Sequence, residues 1–197
     1  MEWLIERFQT ASERIAFIHE GRKVSHGGVV ALIDDFYQRV QRAGITLGDT
    51  VVILGDYSPE VFCMIMTLVR NGSIVIPLTR TSVVEESVAL AVSGCEWYVE
   101  FDAAGRNATI THRGLKSDNA LLNEFHKRGS PGMVLFSSGS TGQPKGILHD
   151  FNLVAEKFRK QRSPVVAIPL LMIDHFGGIN TIMAITSSLG TVVTVAD

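Results

Sequence analysis

Short β-branched runs alternate with longer helical patterns along most of this chain, and that alternation restricts the fold more than any other feature. Ala16–His19 and Arg22–Val24 flank Glu20-Gly21, a hairpin signal. Ser25 is placed to cap a helix reaching about Ala43. Val29, Leu32, Ile33, Phe36 and Val40 share one face of it at i, i+3, i+4 spacing, and Gly44 is its stop. Thr50–Leu54 is an apolar run suited to a strand buried on both faces. Ser58-Pro59-Glu60 then supplies N-cap, N1 proline and first-turn acid for a nearly apolar helix to about Asn71. The reading continues with a strand at Ile74–Ile76 ending at Pro77, a helix over 82–93, strands at Trp97–Phe101 and Ala108–Thr111, and a helix from Asn119 to Arg128. A strand at Met133–Phe136, a helix over 151–161, a strand at Val165–Ile168, a helix over 178–189 and a strand over 191–195 complete it. The pattern predicts an α/β fold, a mostly parallel sheet with helices on both faces. Ligands of such sheets collect outside the carboxyl ends of the strands.

One connection departs from ordinary loop composition. Residues 136–146 read Phe-Ser-Ser-Gly-Ser-Thr-Gly-Gln-Pro-Lys-Gly, directly after a predicted strand. Glycines let backbone N–H groups converge on an anion in conformations closed to other residues. Ser137, Ser138, Ser140 and Thr141 add hydroxyl donors, and Lys145 adds a full charge. Those are the parts of a polyphosphate cradle. A Gly/Ser-rich surface connection has the same composition; the strand before it and the lysine favour phosphate. The loop is not a Walker A loop, because Pro144 precedes Lys145 and Gly146 follows it. It is not a Gly-x-Gly-x-x-Gly dinucleotide turn either.

Other features narrow the class by exclusion. At 197 residues the chain suits one domain or two small ones, and a formal net charge of −2 gives no electrostatic case for nucleic acid or an anionic membrane. Cys63 and Cys95 form no disulfide framework, and no Cys/His cluster has metal spacing, so no metal ligand is assigned. The start lacks the basic and apolar regions of a signal peptide. The apolar stretch Pro164–Ile173 is broken by Asp174-His175, far short of the ~20 residues of a membrane span. A cytoplasmic chain is expected. Cys63, inside Val61–Met66, reads as a buried small hydrophobe. Lys157, Arg159, Lys160 and Arg162 read as solvated cations in the last turns of a helix, suited to its dipole, rather than as a phosphate site. His149 reads as marking a helix start, and His19, His26, His112 and His126 as solvated positions. His175, between an apolar strand and a helix, reads on its own residues as a loop histidine satisfied by backbone partners.

The run Ser137-Ser138-Gly139-Ser140-Thr141-Gly142-Gln143-Pro144-Lys145-Gly146 resembles the signature loop of the AMP-forming adenylate enzymes: acyl- and aryl-CoA ligases, peptide-synthetase adenylation domains and luciferases. Upstream, Leu47–Leu54 is similar to the family's GDxV strand, and Leu68–Leu78 to its GA-strand-Pro segment. Downstream, Pro169–Gly178 resembles the loop bordering the acyl pocket, with His175 at the aromatic-or-His position. The resemblance covers roughly residues 15–197 and implies the N-terminal part of an adenylate-forming ligase. It implies a two-step reaction, in which a small carboxylic acid attacks the α-phosphorus of ATP and the acyl-adenylate passes to a thiol, that of coenzyme A or of a carrier protein. It further implies that Ser137, Ser138, Gly139, Ser140, Thr141, Gly142 and Lys145 bind phosphate, with Mg²⁺ sharing the load. Lys145 and His175 become the candidate catalytic residues, His175 as a pocket wall near the carboxylate or the thiol channel.

The family's adenine and ribose loops and its C-terminal lysine domain have no counterpart in residues 1–197. The expectation is therefore a phosphate-binding portion that needs the remainder of the ligase, in the same or a second chain, and is inactive alone. The alternative is a non-catalytic binding or assembly module that keeps the fold. Either way uncovered apolar surface should promote self-association.

Overall fold

The computed structural model describes residues 1–82, 86–115, 119–137 and 145–194. It opens with a helix that the alternation does not signal, α1 (Glu2–Gln9), which buries Leu4, Ile5 and Phe8. The expected hairpin follows as β1 (Ile15–His19) and β2 (Arg22–Ser25), turned by Glu20 and Gly21 at φ 50° and 78°. Positive φ at both central positions matches the twist of the flanking strands. Helix α2 (His26–Ala43) starts where Ser25 Oγ accepts from the Gly28 N–H (3.1 Å) and stops at Gly44, φ 89°. Strand β3 (Thr50–Leu54) leads to α3 (Pro59–Asn71), capped by Ser58, whose Oγ accepts from Val61 N–H and donates to the Gly105 carbonyl.

Strand β4 (Ile74–Leu78) runs through Pro77, one residue past the expected end. β7 (Gly132–Ser137) pairs with β4 only at Ile74 and Val75. Pro77 thus falls where the strand is bonded on one side alone, a position that tolerates a missing N–H. Between β4 and β7 come α4 (Glu86–Ser93), β5 (Trp97–Phe101), β6 (Ala108–His112) and α5 (Ala120–Arg128). After β7 a strand not expected from the sequence, β8 (Lys145–Asp150), precedes α6 (Phe151–Glu156), β9 (Val166–Ala167), α7 (Phe176–Ser187) and β10 (Thr191–Thr194). Since α6 ends at Glu156, the cations Lys157, Arg159, Lys160 and Arg162 follow the helix instead of occupying its last turns; all four are exposed.

Among the described residues the strands form two sheets, ordered β2-β1-β10-β9 and β6-β5-β3-β4-β7-β8. Antiparallel pairing is confined to the edge strands β2, β6 and β8; the interior pairs are parallel. The mixed α/β architecture with helix-flanked sheets is as expected, divided into two sheets. Helices α2 and α3 fill the layer between them. Phe62 of α3 meets Phe17 of β1 at 5.5 Å, and Phe36 of α2 meets Phe101 of β5 edge-on at 6.2 Å. Alternate residues of the larger sheet divide between two cores: Val51, Ile53, Val75, Val99, Met133 and Leu135 face that layer, while Val52, Ile74, Ile76, Tyr98 and Val134 face α4 and α5. This explains why α3 is apolar on nearly every face. Cys63 is wholly buried there, and burial pushes its thiol pKa well up, so the hydrophobe reading stands.

His19 and His26 are not solvated; they are 2% and 0% exposed, because the hairpin and the start of α2 pack under α1 and β10. The His26 ring lies on Phe8 at 5.0 Å and faces the backbone of Leu189 and Gly190 without closing a hydrogen bond of ordinary geometry. Burial lowers its pKa, so the folded state binds this proton less readily than the unfolded chain, whose His titrates near ~6.5. Stability should therefore be flat above that value and fall as pH drops below it. Urea midpoints between pH 7.5 and 5 are expected to decline in the wild type and to decline less in His26→Phe; equal slopes would remove His26 as the cause.

Candidate active site

The carboxyl ends of β4 and β7 open into a cavity of about 500 Å³. Pro77 and Leu78 at the end of β4 and Leu135 and Phe136 on β7 form an apolar floor. Ser137, the last residue of β7, stands at its edge, and β8 adds Ile147 and His149. Ser82 and the residues leading into α7, Asp174, His175 and Phe176, close the remaining side. This is the location that the topology predicts for a ligand. A smaller cavity of about 250 Å³, around His19, Asp56 and Tyr57 at the ends of β1, β3 and β10, is bordered by Pro169, Leu170 and Met172 of the loop expected to border the acyl pocket, but by neither His175 nor Lys145.

The phosphate-loop candidates divide. Ser138, Gly139, Ser140, Thr141 and Gly142 lie outside the described residues. The two ends of the loop are described: Ser137 on β7 sits opposite Lys145 on β8, the outermost register pair of the hairpin. Both are exposed, and among the described residues Lys145 makes no ion pair. A hydroxyl and an ammonium are thus anchored by a ladder at the rim of the larger cavity, although Lys145 itself is not in the cavity wall. Such a donor pair suits an anion.

His175 is the N-cap residue of α7, but its side chain makes no capping bond; the backbone carbonyl instead accepts from Gly178 and Ile179 N–H. The imidazole stays free for the cavity, 46% exposed, with Nε2 3.9 Å from Asp174 Oδ1.

Three wall residues carried no individual role from the sequence, though Asp174 and Phe176 lie in the segment expected to border the acyl pocket. His149 faces the cavity from β8, stacked on Phe176 with centroids 4.9 Å apart, and the Lys157 ammonium lies 5.0 Å from the Phe176 ring. Partial burial lowers the His149 pKa and favours the neutral ring. Its signal was the period-two placement of Ile147 and His149, legible only once β8 is a strand. The third is Asp174, whose side chain is nine-tenths buried. Its Oδ2 accepts from Ser82 Oγ (2.5 Å) and Thr79 Oγ1 (3.3 Å), while Oδ1 has no hydrogen-bond partner. Nearby, Tyr57 donates to the Leu171 carbonyl at 2.6 Å; burial first, and the Asp174 charge second, push its phenol pKa up. Among the described residues no cluster of three or more His, Cys, Asp and Glu side chains is arranged to hold a metal ion.

A family model described as "AMP-binding enzyme" matches residues 4–197. The chain is 32% identical over 110 residues to the polyketide synthase-nonribosomal peptide synthetase phmA of Phaeosphaeria nodorum, a match taking in 50% of this chain and 3% of that protein. It is similar in structure to the Klebsiella oxytoca NpsA N-terminal subdomain in complex with 3-hydroxyanthranilyl-AMSN, with a TM-score of 0.73 at 18% identity, over 99% of this chain and 52% of that one. Likewise the o-succinylbenzoate CoA synthetase MenE of Bacillus subtilis, in complex with the acyl-adenylate intermediate OSB-AMP, gives a TM-score of 0.69 at 19% identity, over 97% and 55% of the two chains. This chain spans about half the length of those solved structures and a small part of the synthetase.

Proposed function

The chain belongs to the AMP-binding enzyme family, and on that premise we propose that it supplies the phosphate-gripping, N-terminal portion of an ATP-dependent, AMP-forming acid–thiol ligase. A substrate carboxylate oxygen attacks the α-phosphorus of ATP, the bond from that phosphorus to the bridging oxygen breaks, and pyrophosphate leaves. Negative charge grows on the leaving group in that step, and preorganised donors stabilise it. Lys145 and the hydroxyls of Ser137, Ser138, Ser140 and Thr141 take that role; Gly139 and Gly142 let the backbone approach the phosphates. When bound, Mg²⁺ would add charge neutralisation on the phosphates. His175 lines the acyl side of the cavity.

The observation that carries this reading is the rim of the larger cavity, where Ser137 and Lys145 stand in register beside an apolar floor and a free imidazole. The acyl-adenylate then passes to a thiol. The curated relative is a peptide synthetase and a structural relative is a CoA synthetase, so the acceptor is a carrier-protein thiol or that of coenzyme A. The groups for adenine, ribose and the second step belong to the remainder of the enzyme, in the same or a second chain. Support for such a covering polypeptide comes from the edge strand β9 and its continuation, where Val166, Ile168 and Leu170 are 72%, 63% and 90% exposed. No described helix is long and apolar enough to cross a membrane.

The test is carboxylate-dependent ATP–pyrophosphate exchange over a panel of small acids, followed by thioester formation with coenzyme A and with a phosphopantetheinylated carrier. Exchange with at least one acid is expected. If no acid supports exchange in the complete enzyme, the ligase reading fails and a non-catalytic module replaces it.

A further inference from the structure

We infer that Asp174 is a positioning residue for the cavity, holding the loop after β4 against the loop before α7 and setting the direction of the His175 imidazole; this rests on the adenylating role proposed for the cavity. Thr79 and Ser82 follow β4, whereas Asp174 lies 92 positions beyond Ser82 in sequence, so their hydrogen bonds join two otherwise separate walls. The tie is a small network. Ser82 Oγ accepts from the Thr79 N–H at 2.8 Å and donates to Asp174 Oδ2, to which Thr79 Oγ1 also donates at 3.3 Å. Thr79 is 3% exposed and the Asp174 side chain 10%, so water does not replace these bonds cheaply.

The other carboxylate oxygen carries the inference. Oδ1 is buried and has no hydrogen-bond partner, and a buried carboxylate oxygen left so is unusual enough to require a role. An ionisable donor, His175 Nε2, lies 3.9 Å from it, a gap that a modest turn of an imidazole 46% exposed would close. His175 is not tied down by capping, as its side chain makes no bond to the α7 backbone. Asp174 thus has one oxygen fixed by the opposite wall and the other 3.9 Å from the imidazole of a candidate catalytic residue. Through that geometry the position of the β4 loop is passed to His175.

A merely structural carboxylate and a positioning one differ in coupling. In the complete enzyme, Asp174→Asn is expected to lower kcat for exchange by about 10- to 100-fold, with KM for the acid changed less. In a His175→Ala background the same substitution should change kcat by less than about twofold, because its route of action is gone. Ser82→Ala should follow Asp174→Asn in direction, and Ser82→Thr should restore most of the loss. Additive effects of Asp174→Asn and His175→Ala would overturn the inference. A second measurement does not depend on catalysis. The ¹⁵N ring resonances of His175 in this chain should move in Asp174→Asn and in Ser82→Ala but not in Arg162→Ala. Unmoved resonances overturn the tie even in an active enzyme. A wild type without exchange but with coupled resonances would sink the ligase reading and leave the tie standing.

Discussion

Lys145→Ala should lower acid-dependent ATP–pyrophosphate exchange by about 10²- to 10³-fold while leaving the fold unchanged. The fold should survive because Lys145 contributes to β8 through its backbone: the side chain is exposed, and among the described residues it makes no ion pair. Removing a solvated side chain at a strand end moves stability by less than about 0.5 kcal/mol. The activity should not survive, because a full positive charge next to a leaving pyrophosphate acts mainly in the transition state. The loss should then appear in kcat rather than in KM for the acid, which meets other walls. Lys145→Arg keeps the charge on a differently shaped group and is expected to recover part of the rate. The measurement is exchange kinetics for the three proteins, with urea midpoints as the control. Exchange by Lys145→Ala within twofold of wild type would take Lys145 out of the leaving-group role.

The largest stability effect is expected from one hydrogen replaced by a methyl at Gly178. A Cβ there would stand 1.9 Å from the Met172 carbonyl oxygen and 2.7 Å from that of Leu171. Both are backbone atoms of the loop that delivers Asp174 and His175, so neither can swing aside like a side-chain tip. The loop must lift from the first turn of α7, and it takes with it Ile173, which is wholly buried. Overpacking of that kind costs about 3 kcal/mol. Gly178→Ala should show that loss in urea denaturation and should also weaken the Asp174–Ser82 tie. Gly21→Ala is the control. It has open space for a Cβ but sits at φ 78°, so its cost is conformational only, about 1 kcal/mol. A Gly178→Ala midpoint equal to wild type would show that the loop does not bear on α7 as described.

The elements with strong local signals were legible without coordinates. Ser25 and Ser58 cap their helices, Gly44 and Gly72 end theirs at φ 89° and 81°, and Thr50–Leu54 and Trp97–Phe101 are strands over the expected residues. What escaped was set by partners distant in sequence. β8 has no pattern of its own beyond Ile147 and His149; it is a strand because β7 offers it a ladder from Gly132 to Ser137. Residues 2–9 are too few to hold a helix on their own, and α1 is stabilised by burial of Leu4, Ile5 and Phe8 against α2 and α7. The cations after Glu156 looked helical because nothing local ends α6 with the force of a glycine or proline.

The same division holds for the site. Composition and order alone pointed to phosphate at residues 137–146, because glycines, hydroxyls and a lysine after a strand are the parts of a polyphosphate cradle. They also determined the alternation from which the helix-flanked sheets follow. Only the tertiary structure decided that Ser137 and His175 share one cavity, that His149 is stacked in its wall rather than starting a helix, and that Asp174 reaches Ser82 across 92 positions of chain. The reason is physical. Capping, turns and periodicity act over a few residues and leave their mark in the sequence, whereas the direction of a side chain into a cavity depends on which strands become neighbours, and in parallel sheets those neighbours are joined by long crossovers.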